Sequence, residues 1–239
     1  MGSISLREYI RWLPGEPEEP TSTVVVTSPK RHFVDIRVLR SDTSTGNAHP
    51  GKISVDRLDW AIAGTSSSWP VNHKGQAVVT TRGRWTHWID SRTKDTDDLA
   101  DEGDMTTQPD GSTLETGRML NPDTGKETDY EEVWRDVNPR PMGRHGARCV
   151  VLRLEGGRDV RGLVVLAGHY CQGFLRRGNG IAAERWEWAE DGGWARTVAI
   201  GEDDALPCSK ILDADGLAEG DLVETGAFDE WMVIETLGC

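Results

Sequence analysis

The sequence is poor in what most soluble chains have in plenty. Only three Phe and three Tyr occur in 239 residues, and 27 Lys plus Arg stand against 40 Asp plus Glu, a net charge of −13. A chain this acidic lacks the basic surface that sequence-independent nucleic-acid binding needs. It is also ill suited to docking on anionic lipid. No apolar run approaches the roughly 18 to 20 residues of a membrane span, and residues 1–20 hold no apolar core long enough for a secretory signal. The four cysteines (149, 171, 208, 239) have no C-x-x-C spacing, which excludes a zinc ribbon and a disulfide scaffold. None of the five asparagines opens an N-x-Ser/Thr acceptor. Cytoplasmic residence is the resulting expectation. Phosphate loops, G-x-G-x-x-G, H-E-x-x-H and G-x-S-x-G elbows are missing as well, so no cofactor and no metal are expected.

What is present is tryptophan, ten residues of it, and short β-branched runs separated by Gly, Pro, Asn and Asp. Residues 23–27 (TVVVT) and 33–39 (FVDIRVL) read as strands, the second alternating like a half-buried antiparallel one. Similar runs cover 60–63, 76–81, 85–90, 148–154, 163–167, 185–189, 195–200, 222–225 and 231–236. Helix signals are few. Ser5-x-x-Glu8 can cap a helix over 5–13, although the same residues fit strand alternation, and Thr128-x-x-Glu131 predicts a short helix through Trp134. Many short strands with turn signals predict an all-β fold of sandwich or barrel type. Segment 91–113 is acidic and almost free of apolar residues, which predicts a solvated loop or a lid over a cavity mouth.

Four signals recur in order in the two halves: an alternating strand (33–39, 149–154), a strand ending in Ala-Gly (60–64, 163–168), a Trp-paired strand ending in an acid (84–90, 185–190), and Glu-Thr-Gly (115–117, 224–226). They predict an internal duplication giving two tandem, similar, lipocalin-like β-barrel domains, 1–137 and 138–239. The Pro/Gly-rich stretch 138–147 is the linker.

The segments WAIAGTSSS, RWTHWIDS, LETG, EEVWRDVNP, GLVVLAGHYCQGFL and EWMVIET resemble, in order, the fungal Hri-one family over residues 20–236. The resemblance implies two β-barrel-like domains. Because the family namesake is named for interacting with a casein kinase I homologue, it also implies a protein-kinase partner. It implies no particular chemistry. The family pattern carries an aromatic residue at position 87 and a basic one at 169, where this chain has His87 and His169. Trp69, Trp85 and Trp186 are additional to that pattern. These departures point to a diverged member with a ligand of its own.

The candidate site follows from that. Trp85, His87 and Ile89 share one face of their strand, and a histidine beside Trp in a barrel has a tunable pKa. His169 and Tyr170 follow an Ala-Gly strand end as polar handles. His87 and His169 are therefore the candidate catalytic residues, and Trp60, Trp69, Trp85, Trp88, Tyr170 and Trp186 the candidate ligand-binding ones. Glu115 and Glu224, being repeated, read as fold rather than site, each a strand-end carboxylate facing an arginine.

The function expected is that of a cofactor-free enzyme. It would hold a hydrophobic small molecule in a Trp-lined cavity and catalyse dehydration or cyclisation of pericyclase or hetero-Diels–Alderase type in fungal secondary metabolism. Lipocalin-like barrels do such work elsewhere, an analogy of architecture only. The alternatives are an adaptor for a casein-kinase-type partner and a carrier of a hydrophobic metabolite. Besides the substrate and the kinase, a homodimer is the other partner considered.

Overall fold

Two sheets share one core. The computed structural model describes residues 2–40, 52–71, 80–142, 146–189, 192–226 and 229–238. Eight antiparallel strands, each bonded to the next, close into an up-and-down barrel. They are β1 (Ser3–Trp12), β2 (Thr21–Thr27), β3 (His32–Leu39), β4 (Leu58–Val71), β5 (Thr80–Asp90), β6 (Ala100–Thr107), β7 (Thr113–Asn121) and β8 (Lys126–Val137). Pairing of β8 with β1 closes the ring and removes both sheet edges.

The second half forms a seven-stranded antiparallel sheet from β9 (Cys149–Glu155), β10 (Val160–Ala167), β11 (Tyr170–Arg177), β12 (Gly180–Ala189), β13 (Gly193–Ile200), β14 (Leu222–Glu224) and β15 (Glu230–Leu237). Its order is β13-β12-β11-β10-β9-β15-β14, and it stays open among the described residues. Among the described residues helix is confined to a 3-10 turn at Val55–Arg57 and one turn, α1, at Cys208–Ile211.

Alternation in the strands explains how the halves fit. Val24, Val26, Val34, Ile36, Ala61 and Ala63 face outward from the barrel onto Val151, Leu163, Val165, Phe174 and Val198 of the sheet, forming one apolar layer. The sheet's other face packs Leu152, Leu166 and Leu175 under Leu206, Ile211 and Trp231. Strands β9 and β10 are thus covered on both faces, which is why they read as near-continuous apolar runs. Gly162 allows this. A Cβ there would lie 2.2 Å from the Trp231 ring, so the space that a second barrel would enclose is filled by side chains.

Several expectations change. An all-β fold with a closed barrel stands. A duplicated pair of barrels does not emerge: the second sheet is open among the described residues, and only the first two of the four recurring signals fall on corresponding strand pairs, β3–β4 and β9–β10. The Trp-paired run 84–90 lies on β5, directly after β4, whereas 185–189 lies on β12, with β11 intervening after β10. Glu-Thr-Gly sits in mid-strand on β7 in the first half and at the end of the short edge strand β14 in the second. Residues 5–12 and 128–134 are strand, not helix. The acidic segment 91–113 contains β6, so only short connections remain on either side of it. Positions 76–79, 143–145 and 190, parts of an expected strand, the linker and the Trp-paired run, lie outside the described residues, as do His49, His73 and His145.

Candidate functional site

Inward-facing residues of the barrel are mostly polar. On β3 the outward Val34 and Ile36 alternate with inward Phe33, Asp35 and Arg37, and on β8 Tyr130, Glu132, Trp134 and Asp136 face in. Together with Trp60 and Ile62 of β4, Trp85 of β5, Asp101 and Met105 of β6 and Glu115 of β7, they line a cavity of about 760 Å³. Its solvent edge carries exposed Arg31, Ser67, Asp98, Glu102 and Arg118.

Three glycines make the room. Gly83, Gly103 and Gly117 are cross-strand neighbours on β5, β6 and β7. A Cβ would stand 2.6 Å from the Trp85 ring at Gly83, 2.6 Å from Glu115 Oε1 at Gly103, and 2.6 Å from Tyr130 Oη at Gly117. Glycine inside a strand commonly marks such a close approach.

The floor is an ionic network. Glu132 accepts from Arg7 Nη1 at 2.5 Å and from Arg37 Nη1 at 3.3 Å. Arg37 also donates to Asp35 Oδ2 through Nε at 3.0 Å, and its guanidinium lies 5.1 Å from the Trp60 ring centre. Burial would discharge Arg37, but Asp35 and Glu132 outweigh it and hold the charge. Buried ion pairs survive only with this density of partners.

Glu115 stands across from Glu132 on the neighbouring strand. Tyr130 Oη donates to its Oε1 at 2.7 Å and Trp134 Nε1 to its Oε2 at 2.9 Å. Burial, reinforced by the Glu132 charge, pushes its pKa to about 8 despite both hydrogen bonds. It is a carboxylic acid that keeps its proton near neutrality beside a cavity. The expected arginine partner is not among its bonds, and Gly117 is in mid-strand rather than in a turn.

His87 is buried between two carboxylates. Its Nδ1 lies 2.9 Å from Asp90 Oδ2 and its Nε2 3.1 Å from Asp101 Oδ2. Burial opposes protonation, yet Asp101 and Asp90 raise its pKa to about 9. Trp60 Nε1 reaches both Asp90 oxygens at 3.2 Å, and Arg92 N donates to Oδ1 at 2.6 Å. With both ring nitrogens engaged, the imidazolium stands behind the wall and presents Asp101 to the cavity.

Of the residues singled out in sequence, Trp60 and Trp85 line this cavity and His87 supports it. The others do not meet there. Trp69 is 41% exposed on β4. Trp88 is the extra residue of a bulge in β5 and lies outward, where Arg153 and Arg161 cover its ring. Beyond it Ile89, expected on the face of Trp85 and His87, turns towards the second sheet, and Asp90 turns in to His87. His169 is buried at the β10–β11 turn, accepting from Arg140 N at 3.2 Å, edge-on to Tyr170. Trp186 donates to Glu184 at 2.8 Å on the second sheet. Asp35, Arg37, Asp101, Tyr130 and Glu132 were not anticipated, and Glu115 was read as fold rather than site.

Comparison with known proteins settles the family. The family model described as Protein HRI1 matches residues 3–235. The chain belongs to the HRI1 family. HRI1 proteins of Saccharomyces cerevisiae strains YJM789 and RM11-1a are each 26% identical over 184 residues, covering 70% of this chain and 71% of theirs. The crystal structure of an uncharacterized Saccharomyces cerevisiae protein, YLR301w, matches 99% of both chains with a TM-score of 0.73 at 22% identity. At that identity the likeness shows the fold, and the HRI1 family membership carries no chemistry with it.

Proposed function

We propose that the barrel binds a small molecule and catalyses its dehydration, or a cyclisation that begins with loss of water, without a cofactor. One observation carries this reading: a 760 Å³ cavity whose wall holds Glu115, a carboxyl pushed up to a pKa of about 8, together with a second carboxyl, Asp101, bonded to His87. Two carboxyl groups held in different surroundings on one cavity wall are the usual basis of acid–base division of labour.

In the proposed step Glu115 gives its proton to a leaving hydroxyl. The C–O bond breaks and water departs. Asp101 takes the proton from the adjacent carbon, and the C–H electrons form the new double bond. Solvent then returns Asp101 to carboxylate and Glu115 to acid. His87 acts through Asp101 as a positioning residue, replacing the direct acid–base role expected of it. Phe33, Ile62 and Trp85 supply an apolar wall, but the remaining surface is polar, which favours an amphipathic substrate over a purely hydrocarbon one. The kinase-adaptor alternative draws less support from the fold, because part of the acidic segment 91–113 is built into the barrel as β6.

The test is a turnover assay on hydroxylated aromatic and polyketide-type substrates with Glu115→Gln and Asp101→Asn. Loss of turnover of about 10²-fold or more with binding retained supports the assignment. Undiminished turnover in both variants removes it.

A further inference from the structure

Asp35 has an oxygen with nothing to hold. Its carboxyl is only 4% exposed. Oδ2 takes Arg37 from two sides, Nε at 3.0 Å and Nη2 at 2.9 Å, while Oδ1 has no hydrogen-bond partner. The residue lines the barrel cavity. Buried carboxylate oxygens are almost always satisfied, and an exception calls for a missing donor.

The cavity wall is acidic on balance. It carries Arg31, Arg37, Arg84 and Arg118 against Asp35, Asp98, Asp101, Glu102, Glu132 and Asp136. Four cations thus meet six acidic side chains, Glu115 not counted. An anionic ligand would enter against this field. A cation would complete it, and low dielectric strengthens the attraction. Next to Asp35 on the same wall are Phe33, Ile62 and Trp85, an apolar and aromatic platform. Aromatic faces attract organic cations. A bare metal ion is a poorer match, since no group of three His, Cys, Asp or Glu among the described residues could hold one.

We infer that the cavity takes a protonated amine carried on an apolar or aromatic body, its N–H groups donating to Asp35 Oδ1 and Asp101 and its body lying against Phe33 and Trp85. This rests on reading the barrel as a small-molecule site and names the class of molecule it accepts. Burial holds the Asp35 carboxyl above the usual carboxylate range, and an ammonium donor there would restore it to full ionisation on binding.

The experiment is a calorimetric titration of the full chain at pH 7 with three probes of one shape: 4-phenylbutylamine, 4-phenylbutanol and 4-phenylbutanoate. The amine is expected to bind about 10- to 100-fold more tightly than the alcohol, as charge-assisted hydrogen bonds require. The carboxylate should bind weakest. Asp35→Asn and Asp101→Asn should each bring the amine towards the alcohol. The wild-type comparison needs no variant, so misfolding of either leaves the test intact. If the alcohol or the carboxylate binds as tightly as the amine, the inference is overturned while the cavity remains a ligand site. If none of the three binds, the ligand-site reading fails and the inference with it.

Discussion

Gln172 and Arg185 are direct cross-strand partners on β11 and β12, and Arg185 Nε donates to the Gln172 side-chain oxygen at 2.7 Å. Both are fully covered by the barrel, and neither spends its remaining donors within its own sheet. Gln172 donates to the carbonyls of Val24 and Val34 at 2.9 and 2.8 Å, and Arg185 to those of Ser22 and Ile36 at 3.3 and 2.7 Å. An apolar layer slides easily, whereas a polar peg fitted to four particular carbonyls fixes the position of one sheet on the other.

Arg185→Met should therefore cost more than its lost contacts. It strands the Gln172 oxygen, a penalty of about 1–3 kcal/mol. Adding Gln172→Leu should recover part of the loss, since an apolar pair of similar volume tolerates burial. Urea midpoints of the two single variants and the double variant measure this coupling. Strict additivity would remove the peg.

Gly103→Ala should move Glu115. The added methyl falls 2.6 Å from Glu115 Oε1, so the carboxyl must leave Tyr130 or the strand must shift. Overpacking of this kind costs about 1–3 kcal/mol, roughly 2–4 °C in Tm for each kcal/mol at this chain length. Gly111→Ala is a poor control because of its positive φ, but Gly146, open and with no such φ, is a fair one. Equal Tm values for the alanine variants at 103 and 146 would refute the packing argument.

Stability should fall as pH rises through the neutral range. A group whose folded pKa exceeds its free value contributes fully below the free value and loses that contribution as pH climbs to the folded one. For Glu115 the window runs from 4.5 to about 8, and for His87 from 6.5 to about 9. Asp90, lowered in the fold, works oppositely and weakens only at the acid end, as pH falls below 3.8. Thermal melts from pH 5 to 9 should show a declining Tm. Glu115→Gln should flatten the lower part of that decline and leave the His87 part. A wild-type Tm that rises from pH 5 to 8 would contradict both assignments.

Trp85 should report occupancy of the cavity. It is half-buried in the wall, its ring lying over Gly83. Ligand-induced quenching should vanish in Trp85→Phe and persist in Trp69→Phe, because Trp69 is not part of the lining. Fluorescence titration of the two variants distinguishes them, and quenching that depends on Trp69 instead would place binding elsewhere.

The sequence made the strand class plain and the site obscure for one physical reason. Where a strand has apolar residues on the face towards the second sheet, as in FVDIRVL, alternation is visible. Strand β6 places Asp101, Gly103, Met105 and Thr107 towards a polar cavity and Glu102, Asp104 and Thr106 towards solvent, so neither face is apolar and the segment reads as loop. The same cause hid β8, whose inward Glu132 broke the pattern between Tyr130 and Trp134. Trp60 and His87 were legible because unusual residues in a clear strand stand out. Glu115 was visible but discounted, its Glu-Thr-Gly echo in β14 making it resemble a fold marker.

The row Gly83, Gly103 and Gly117 gives this hollow an adjustable volume. The absent side chains let Trp85, Glu115 and Tyr130 lie back against adjacent strands of a closed ring. Each position is thus a separate set-screw on its size, near a different wall: Trp85, Glu115 or Tyr130. Within such a barrel, preference for one ligand shape over another can shift by single methyl groups, because each would push one of these three side chains from its seat into the hollow.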